Sequence, residues 1–389
     1  MTPGARIAAA IEVLDRVLAG APAEQCLIRW ARGARYAGSK DRAAVRDHVY
    51  QALRCRRSHA CLGGAATGRG LMIGALRAAC VDPDTLFTGI GHAPAPLTRA
   101  EHAGGAQPRA VADRLDLPDW LVAVFRASLG KDAEAAAQAL RARAPVILRV
   151  NARMKSVSRA IEILSSEGID STPAAIADTA LIVTKNSRHI ARCAAYRDGV
   201  VEVQDGSSQA AMARLELPDG ARVLDYCAGG GGKVLALAAR GRGRWFAHDA
   251  DAKRMAELPA RAARAGVRVT CLTPGGAGAK APFDLVLCDV PCSGSGTWRR
   301  NPDEKWRLTA ERLAALGGAQ ARILDAAAGL VRPGGGLAYA TCSVLRPENE
   351  DQIAAFLGRH PGWSVTEQRR WPIGPEGDGF FLAQLRRDG

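Results

Sequence analysis

Two cysteines stand at the ends of two apolar runs, and one of them lies close to an acid. The stretch LCDVPCSGSGTWRRNPDEKW carries Asp289 and Cys292, and GLAYATCSVLRPENE carries Cys342. A thiolate is a strong side-chain nucleophile, and a nearby carboxyl group can meet charge that develops on a substrate ring. A single buried cysteine is ordinarily inert packing. Here each cysteine is followed by serine and each closes a strand-like run, which argues against inert packing. Neighbouring strands lie roughly 4.8 Å apart, and ligands of open parallel sheets sit beyond the carboxyl ends of the strands. If the two strands are neighbours, Cys292, Cys342 and Asp289 share one pocket although the cysteines are 50 residues apart.

The segment DYCAGGGGKVLALAAR supplies the second half of that pocket. Glycines between a strand and a helix let the backbone approach a ligand and adopt unusual φ values, and the helix start offers free N–H groups. A phosphate-binding loop of the GxxxxGK[ST] type would need Gly at 227 and Ser or Thr at 234, where Cys227 and Val234 stand. A dinucleotide turn starting at Gly229 would need Gly at 234, so a nicotinamide oxidoreductase is disfavoured. The S-adenosylmethionine type of turn remains, with Cys227, Ala228, Gly229, Gly230, Gly231, Gly232 and Lys233 as its residues. Asp249 follows the last glycine by 17 residues at the end of RWFAHDAD, a suitable position to bind both ribose hydroxyls of an adenosine. Asp251 reads instead as a helix N-cap.

Two thiols beside a methyl donor point to a particular reaction. Carbon 5 of a pyrimidine is a poor nucleophile until a thiolate adds to carbon 6 and makes the ring enamine-like. Asp289 is then the candidate partner for ring nitrogen 3, and the second cysteine assists release. Lys233 and Arg346 are candidates for the positive neighbourhood that favours a thiolate. Cys227, Cys271 and Cys288 read as packing. The residues alone leave open which of Cys292 and Cys342 attacks.

The elements that must position these groups come in three blocks. Residues 1–140 read as helices, with Ile7, Ile11, Leu14 and Leu18 on one face and a second helix through DRAAVRDHVYQALRCRRSHACL. GHAPAPLTRAEHAGGAQP reads as a loop, and LPDWLVAVFRASLG and DAEAAAQALRARA as further helix. Residues 141–205 read as a small α+β unit built on VILRVN, SVSRAIEILSSEG, TALIVT and VVEVQD. From 206 to 389, strand and helix alternate, which implies an α/β unit with a mostly parallel, Rossmann-like sheet. Its strands are ARVLDYCA, RWFAHDA, RVTCLT, FDLVLCDVP, GGLAYATCS and, last, GFFLAQLR.

Composition narrows the partners. The chain of 389 residues carries 53 Lys and Arg against 39 Asp and Glu, a net charge of +14. Such a balance favours a polyanion, and nucleic acid first. The ten cysteines include no CxxC pair, and Cys55, His59 and Cys61 have poor ligand spacing, so neither a disulfide framework nor a metal site is expected. Glu12 and Asp15 interrupt the first apolar segment and no run of 18 apolar residues occurs, so the reading is a cytoplasmic protein with reduced thiols.

These stretches resemble the RsmB-type (Sun family) RNA cytosine-5 methyltransferases. DYCAGGGGK is similar to that family's cofactor loop, DVPCSGSGTWRRNPDEKW to its active-site stretch and YATCS to its nucleophile motif. PVILRVNARMKS and VVEVQDGSSQ resemble its small domain, and KDRAAVRDHVYQALRCRR resembles a NusB-like RNA-binding domain. The resemblance implies a class I methyltransferase that uses S-adenosyl-L-methionine. It implies Cys342 as nucleophile, Cys292 as the releasing cysteine, and the loop from Cys227 to Lys233, Asp249 and Asp289 as cofactor residues. Arg299 and Arg300 are expected to face RNA. The loop departs from the family where Gly229 and Gly230 replace Ala-Pro and Val234 replaces Thr; four consecutive glycines imply a larger ordering cost. No acid follows the third strand, RVTCLTPGGAGAKAPFD, until Asp284. The implied substrate is RNA, small-subunit rRNA before tRNA, and the protein is expected to be a monomer. A non-catalytic RNA-binding assembly factor that keeps the fold is the competing reading.

Overall fold

The computed structural model describes residues 1–389, which form two compact units. The first comprises Met1–Arg143 together with Trp298–Leu308, and the second comprises Ala144–Thr297 and Thr309–Gly389. The arm Trp298–Leu308, just beyond the Cys292 loop in sequence, therefore belongs to the helical unit. No helix is long and apolar enough to cross a membrane.

The helical unit packs Pro3–Leu18, Ala23–Gly33, Ser39–Arg54 and Gly68–Ala78 around a core that includes Ile7, Leu14, Trp30, Val49, Leu53 and Leu71. On the first helix Ile7, Ala10, Val13, Leu14 and Val17 are buried, while Ile11 and Leu18 are half-buried at the flank. The second expected helix breaks at Cys55 into Ser39–Arg54 and Arg56–Gly63. The reason is an exchange of partners. In a continuous helix the amides of Arg57 and Ser58 would donate to the carbonyls of Leu53 and Arg54. Asp116 Oδ1 takes both amides at 2.9 Å instead. The freed carbonyls accept from Trp306 Nε1 at 2.7 Å and Lys305 Nζ at 3.0 Å. Asp303 Oδ2 accepts from Ala23 N at 3.0 Å, capping a helix whose own N-cap residue, Pro22, has no side-chain acceptor. The stretch 91–108 is irregular apart from the short helix Arg99–Ala103.

The second unit contains two sheets. The smaller is antiparallel, built from β1 (Val146–Val150), β2 (Ser171–Pro173), β3 (Ala180–Val183) and β4 (Val201–Val203) in the order β2-β3-β1-β4. The helix Val157–Ser166 packs on it through Ala160 and Leu164. The larger contains β5 (Ala221–Asp225), β6 (Gly243–Ala247), β7 (Val269–Cys271), β8 (Phe283–Asp289), β9 (Val331–Thr341), β10 (Trp363–Trp371) and β11 (Phe380–Arg387). Their order is β10-β11-β9-β8-β5-β6-β7. β5 to β9 pair in parallel, and β11 and β10 add an antiparallel edge. The sheet is thus mixed: β10, which the sequence reading missed, is a half-exposed edge strand. Val223, Leu287, Ala338 and Leu382 belong to the core on one face, and Leu224, Val286, Tyr339 and Phe381 to the core on the other.

Strand order reverses between β5 and β8: from β5 the chain proceeds outward to β6 and β7, then returns to β8 and moves the other way. This switch point opens a crevice at the carboxyl ends of the strands. Asp225 ends β5 and Asp289 ends β8, on either side of the switch.

Candidate active site

The turn after β5 carries the glycines. Gly229 has φ +49° and Gly231 φ +81°, a region that favours glycine. A Cβ on Gly231 would also lie 2.1 Å from Leu258 Cδ1, so this glycine packs against its neighbour and is absent from the pocket wall. The helix Gly232–Arg240 begins next. Its first carbonyl, of Gly232, accepts from Arg149 Nη1 at 2.9 Å and from Gln204 Nε2 at 3.2 Å. Arg261 donates to the carbonyl of Gly230 and pairs with Glu202, which also holds Arg264. Side chains outside the loop thus hold it, which offsets the ordering cost expected of four glycines.

Two carboxylates face the loop. Asp249 Oδ2 accepts from Gly229 N at 2.9 Å and Oδ1 from Asp251 N at 3.0 Å, while Arg254 covers the group at 3.0 Å. Asp249 is consequently buried, with Arg254, 58 % exposed, as the layer between it and solvent. Asp251 caps the turn Ala252–Met255, as the sequence indicates. Asp225 was not singled out in the sequence, where it reads only as the last residue of a strand. Its Oδ2 accepts from Val234 N at 3.2 Å, and its buried Oδ1 has no partner. Burial, with the charge of Asp289 beside it, raises the Asp225 carboxyl to about 7.

β8 and β9 are adjacent and parallel, with Asp289 opposite Ala340. Beyond their ends Cys292 Sγ lies 3.4 Å from Cys342 Sγ. The two loops are also stitched by backbone, Gly296 N donating to Cys342 O at 2.9 Å. The hydrogen bond with Cys342 and burial push the Cys292 thiol well above the ordinary thiol range. Burial likewise lifts Cys227 to about 12, and Cys288 lies fully buried within β8.

Lys233 Nζ donates to Asp289 Oδ2 at 2.6 Å and sits 5.3 Å from the centroid of the Phe380 ring. Burial opposes the Lys233 charge, but the field and hydrogen bond of Asp289 outweigh it and raise the ammonium above its usual range. Lys233, Asp289, Cys342, Gly229 and Gly230 line one cavity of about 340 Å³. Its far wall comes from Gln204, Asp205 and Ser208 before β5 and from Asp378, Gly379 and Phe380 at β11. No local sequence signal marks these residues, because they reach the site only through the sheet order.

Other expected residues lie elsewhere. Arg346 pairs with Asp351 at 2.9 Å and is largely exposed. Arg299 is buried and Arg300 half-buried, both within the arm that belongs to the helical unit. Near β7, Thr273 and the turn after it occupy the position where an acid was sought. No group of His, Cys, Asp and Glu is arranged to hold a metal ion.

Residues 212–386 match the family described as 16S rRNA methyltransferase RsmB/F, and residues 117–189 match its RsmF/B-like, ferredoxin-like domain. The ribosomal RNA small subunit methyltransferase B of Xylella fastidiosa is 36% identical over 289 residues, covering 70% of this chain and 67% of that protein. The enzyme of the same name from Xanthomonas campestris is 36% identical over 310 residues, covering 74% and 70% respectively. The crystal structure of PH0851 superposes with a TM-score of 0.75 at 24% identity, covering 100% of this chain and 99% of that one, a likeness of fold.

Proposed function

The chain belongs to the RsmB/F family of 16S rRNA methyltransferases, and from that premise we propose that it methylates carbon 5 of a cytosine in small-subunit rRNA through a Cys342 adduct. Its cofactor is S-adenosyl-L-methionine, which supplies, when bound, the electrophilic methyl that carbon 5 takes. The residues at the switch point suit that molecule. Asp289 on the cavity wall suits a cationic ligand, and two buried acids flank the glycine turn behind that wall: Asp225, whose Oδ1 is unpartnered, and Asp249, beneath Arg254. The loop from Cys227 to Lys233, Asp249 and Asp289 would hold it, with Asp249 able to accept from ribose hydroxyls.

The observation that carries the reading is the 3.4 Å approach of Cys292 Sγ to Cys342 Sγ, with Cys342 on the wall of a cavity that Lys233 and Asp289 also line and Cys292 behind it. The target base must leave its stack to reach them. Cys342 Sγ, as thiolate, then bonds to carbon 6, and electron density moves toward nitrogen 3 and carbon 5. The Lys233 ammonium, held in place by Asp289, meets the charge at nitrogen 3 by hydrogen bond or proton transfer. After methyl transfer water takes the proton from carbon 5, the electron pair of that C–H bond re-forms the double bond between carbons 5 and 6, the bond between Sγ and carbon 6 breaks, and its electron pair returns to Cys342. Cys292, kept as a thiol beside Cys342, assists that departure by hydrogen bonding the leaving sulfur.

The test compares wild type, Cys342→Ala and Cys292→Ala with labelled cofactor and unmodified 16S rRNA or small ribosomal subunits. Wild type is expected to form 5-methylcytosine and Cys342→Ala none. Cys292→Ala is expected to accumulate a covalent protein–RNA species on denaturing gels. A wild type that transfers no methyl to either substrate refutes the reading and restores the assembly-factor alternative. An adduct that survives Cys342→Ala refutes the assignment of roles.

A further inference from the structure

Glu348 is wholly buried, lies outside the cavity wall and takes no part in the reaction above. Its charge is met by four donors. Oε1 accepts from Ser293 N at 2.7 Å and Gln320 Nε2 at 3.1 Å, and Oε2 accepts from Ser293 Oγ at 2.5 Å and Ser343 Oγ at 2.6 Å. Ser293 and Ser343 are the residues that immediately follow Cys292 and Cys342. One carboxylate therefore grips both cysteine loops at once.

The grip is anchored to the sheet. The carbonyl of Glu348 accepts from Tyr339 Oη at 2.6 Å, and Tyr339 pairs with Cys288 across β8 and β9. Ser295 ties the two loops a second time, with its Oγ 2.8 Å from Ser343 Oγ and accepting from Val344 N at 2.9 Å. Asn349, the next residue, donates to Ser343 O at 2.9 Å and accepts from Thr341 Oγ1 at 2.6 Å. Burying a carboxylate is costly, and an apolar side chain would fill the same space at lower cost. What the carboxylate adds is direction: two acceptor oxygens that fix the amide and hydroxyl of Ser293 and the hydroxyl of Ser343, one residue beyond each sulfur.

We propose that Glu348 is a positioning residue that holds Cys292 and Cys342 at reacting distance by hydrogen-bonding the serine after each. The consequence for catalysis rests on the two-cysteine reading above, but the clamp does not. A loosened clamp separates the sulfurs, and a misplacement of about 1 Å in a reacting group can cost on the order of 10²-fold in rate. Release suffers along with attack, because both sulfurs move.

The test uses the full chain with Glu348→Gln, Ser293→Ala and Ser343→Ala. Glutamine keeps the shape but has one acceptor oxygen, so its NH2 must face either the two serine hydroxyls or the two N–H donors of Ser293 and Gln320. The first readout needs no methylation. Diamide links the two sulfurs: one thiolate adds to the N=N bond, the other displaces the nitrogen, and the diazene leaves as the hydrazine while two thiols become a disulfide. The rate at which the Cys292–Cys342 cross-link forms, read by peptide mass spectrometry, is expected to fall about tenfold or more in Glu348→Gln and by less in each serine variant. Alkylation of Cys342 by iodoacetamide is expected to stay near the wild-type rate. The second readout is methyl transfer, where kcat is expected to fall roughly 10- to 100-fold while KM for RNA and Kd for the cofactor hold. A wild-type cross-linking rate in any variant that still unfolds cooperatively overturns the proposal. If Glu348→Gln does not fold, the serine variants, each removing one hydroxyl, decide it. Slowed cross-linking alongside a wild type that transfers no methyl upholds the clamp and refutes the proposed reaction instead.

Discussion

Arg261→Ala isolates the consequence of a cofactor loop made of glycines. The guanidinium donates to the carbonyl of Gly230 and pairs with Glu202. Gly229 remains tied to Asp249, Gly231 remains wedged against Leu258, and Gly232 keeps Arg149 and Gln204. The substitution therefore frees about one residue, Gly230, which the cofactor must order again at about 1–2 kcal/mol. Cofactor Kd is expected to rise roughly 5- to 30-fold. Glu202 keeps Arg264, so the stability cost is that of one charged hydrogen-bonding partner, about 1.5–3 kcal/mol. Calorimetric titration with S-adenosylhomocysteine measures the first effect and thermal denaturation the second. Gly230→Ala offers an internal check, because its Cβ would lie 2.7 Å from Arg261 Nη1 and displace the guanidinium. The double variant is expected to bind no more weakly than the worse single one. A Kd within about twofold of wild type in folded Arg261→Ala, or simple additivity in the double variant, refutes the brace.

Asp225 and Trp306 give two further tests. The Asp225 carboxyl is raised to about 7 in the folded protein, so between about 4 and 7 the native state binds more protons than the unfolded one. Asp225 should therefore contribute a fall in stability as pH rises through that window, against the opposite slope of the buried His59, lowered to about 4; Asp225→Asn should remove the Asp225 contribution, so the variant's profile rises relative to wild type, and parallel pH profiles of unfolding free energy would contradict it. Trp306→Phe removes the donor to the Leu53 carbonyl and should cost the helical unit about 1–3 kcal/mol, seen as a lower denaturation midpoint. An unchanged midpoint would show that the break at Cys55 does not depend on this bond.

What was legible in the sequence is what local chemistry specifies. The glycine turn, Asp249, the parallel strands β5 to β9 and the convergence of Cys292 and Cys342 follow from turn residues, apolar runs and the rule for ligands at strand ends. What escaped depends on partners far along the chain. The helix through Cys55 looks continuous until Asp116 takes its amides and Lys305 and Trp306 its carbonyls. Glu348 gives no signal in RPENE, because its ligands Ser293 and Gln320 come from other elements. β10 escapes for a different reason: Trp363–Gln368 alternates half-buried and exposed side chains, with Ser364, Thr366 and Gln368 on the exposed side, as suits a protected sheet edge rather than a buried strand.

The arm Trp298–Leu308 bears on how such a chain can be inherited. A domain joined through one linker can be gained, lost or exchanged by a single genetic event. Here the chain passes between its two units at Arg143, at Thr297 and at Leu308. Deleting the first 143 residues would take away the partners of Asp303, Lys305 and Trp306 and strip the arm of the unit it packs in. The catalytic unit thus carries, in the middle of its own sequence, a piece of its companion. A chain that keeps this arm needs the helical segment it packs with, and recombination at the Arg143 boundary alone exchanges only part of that unit.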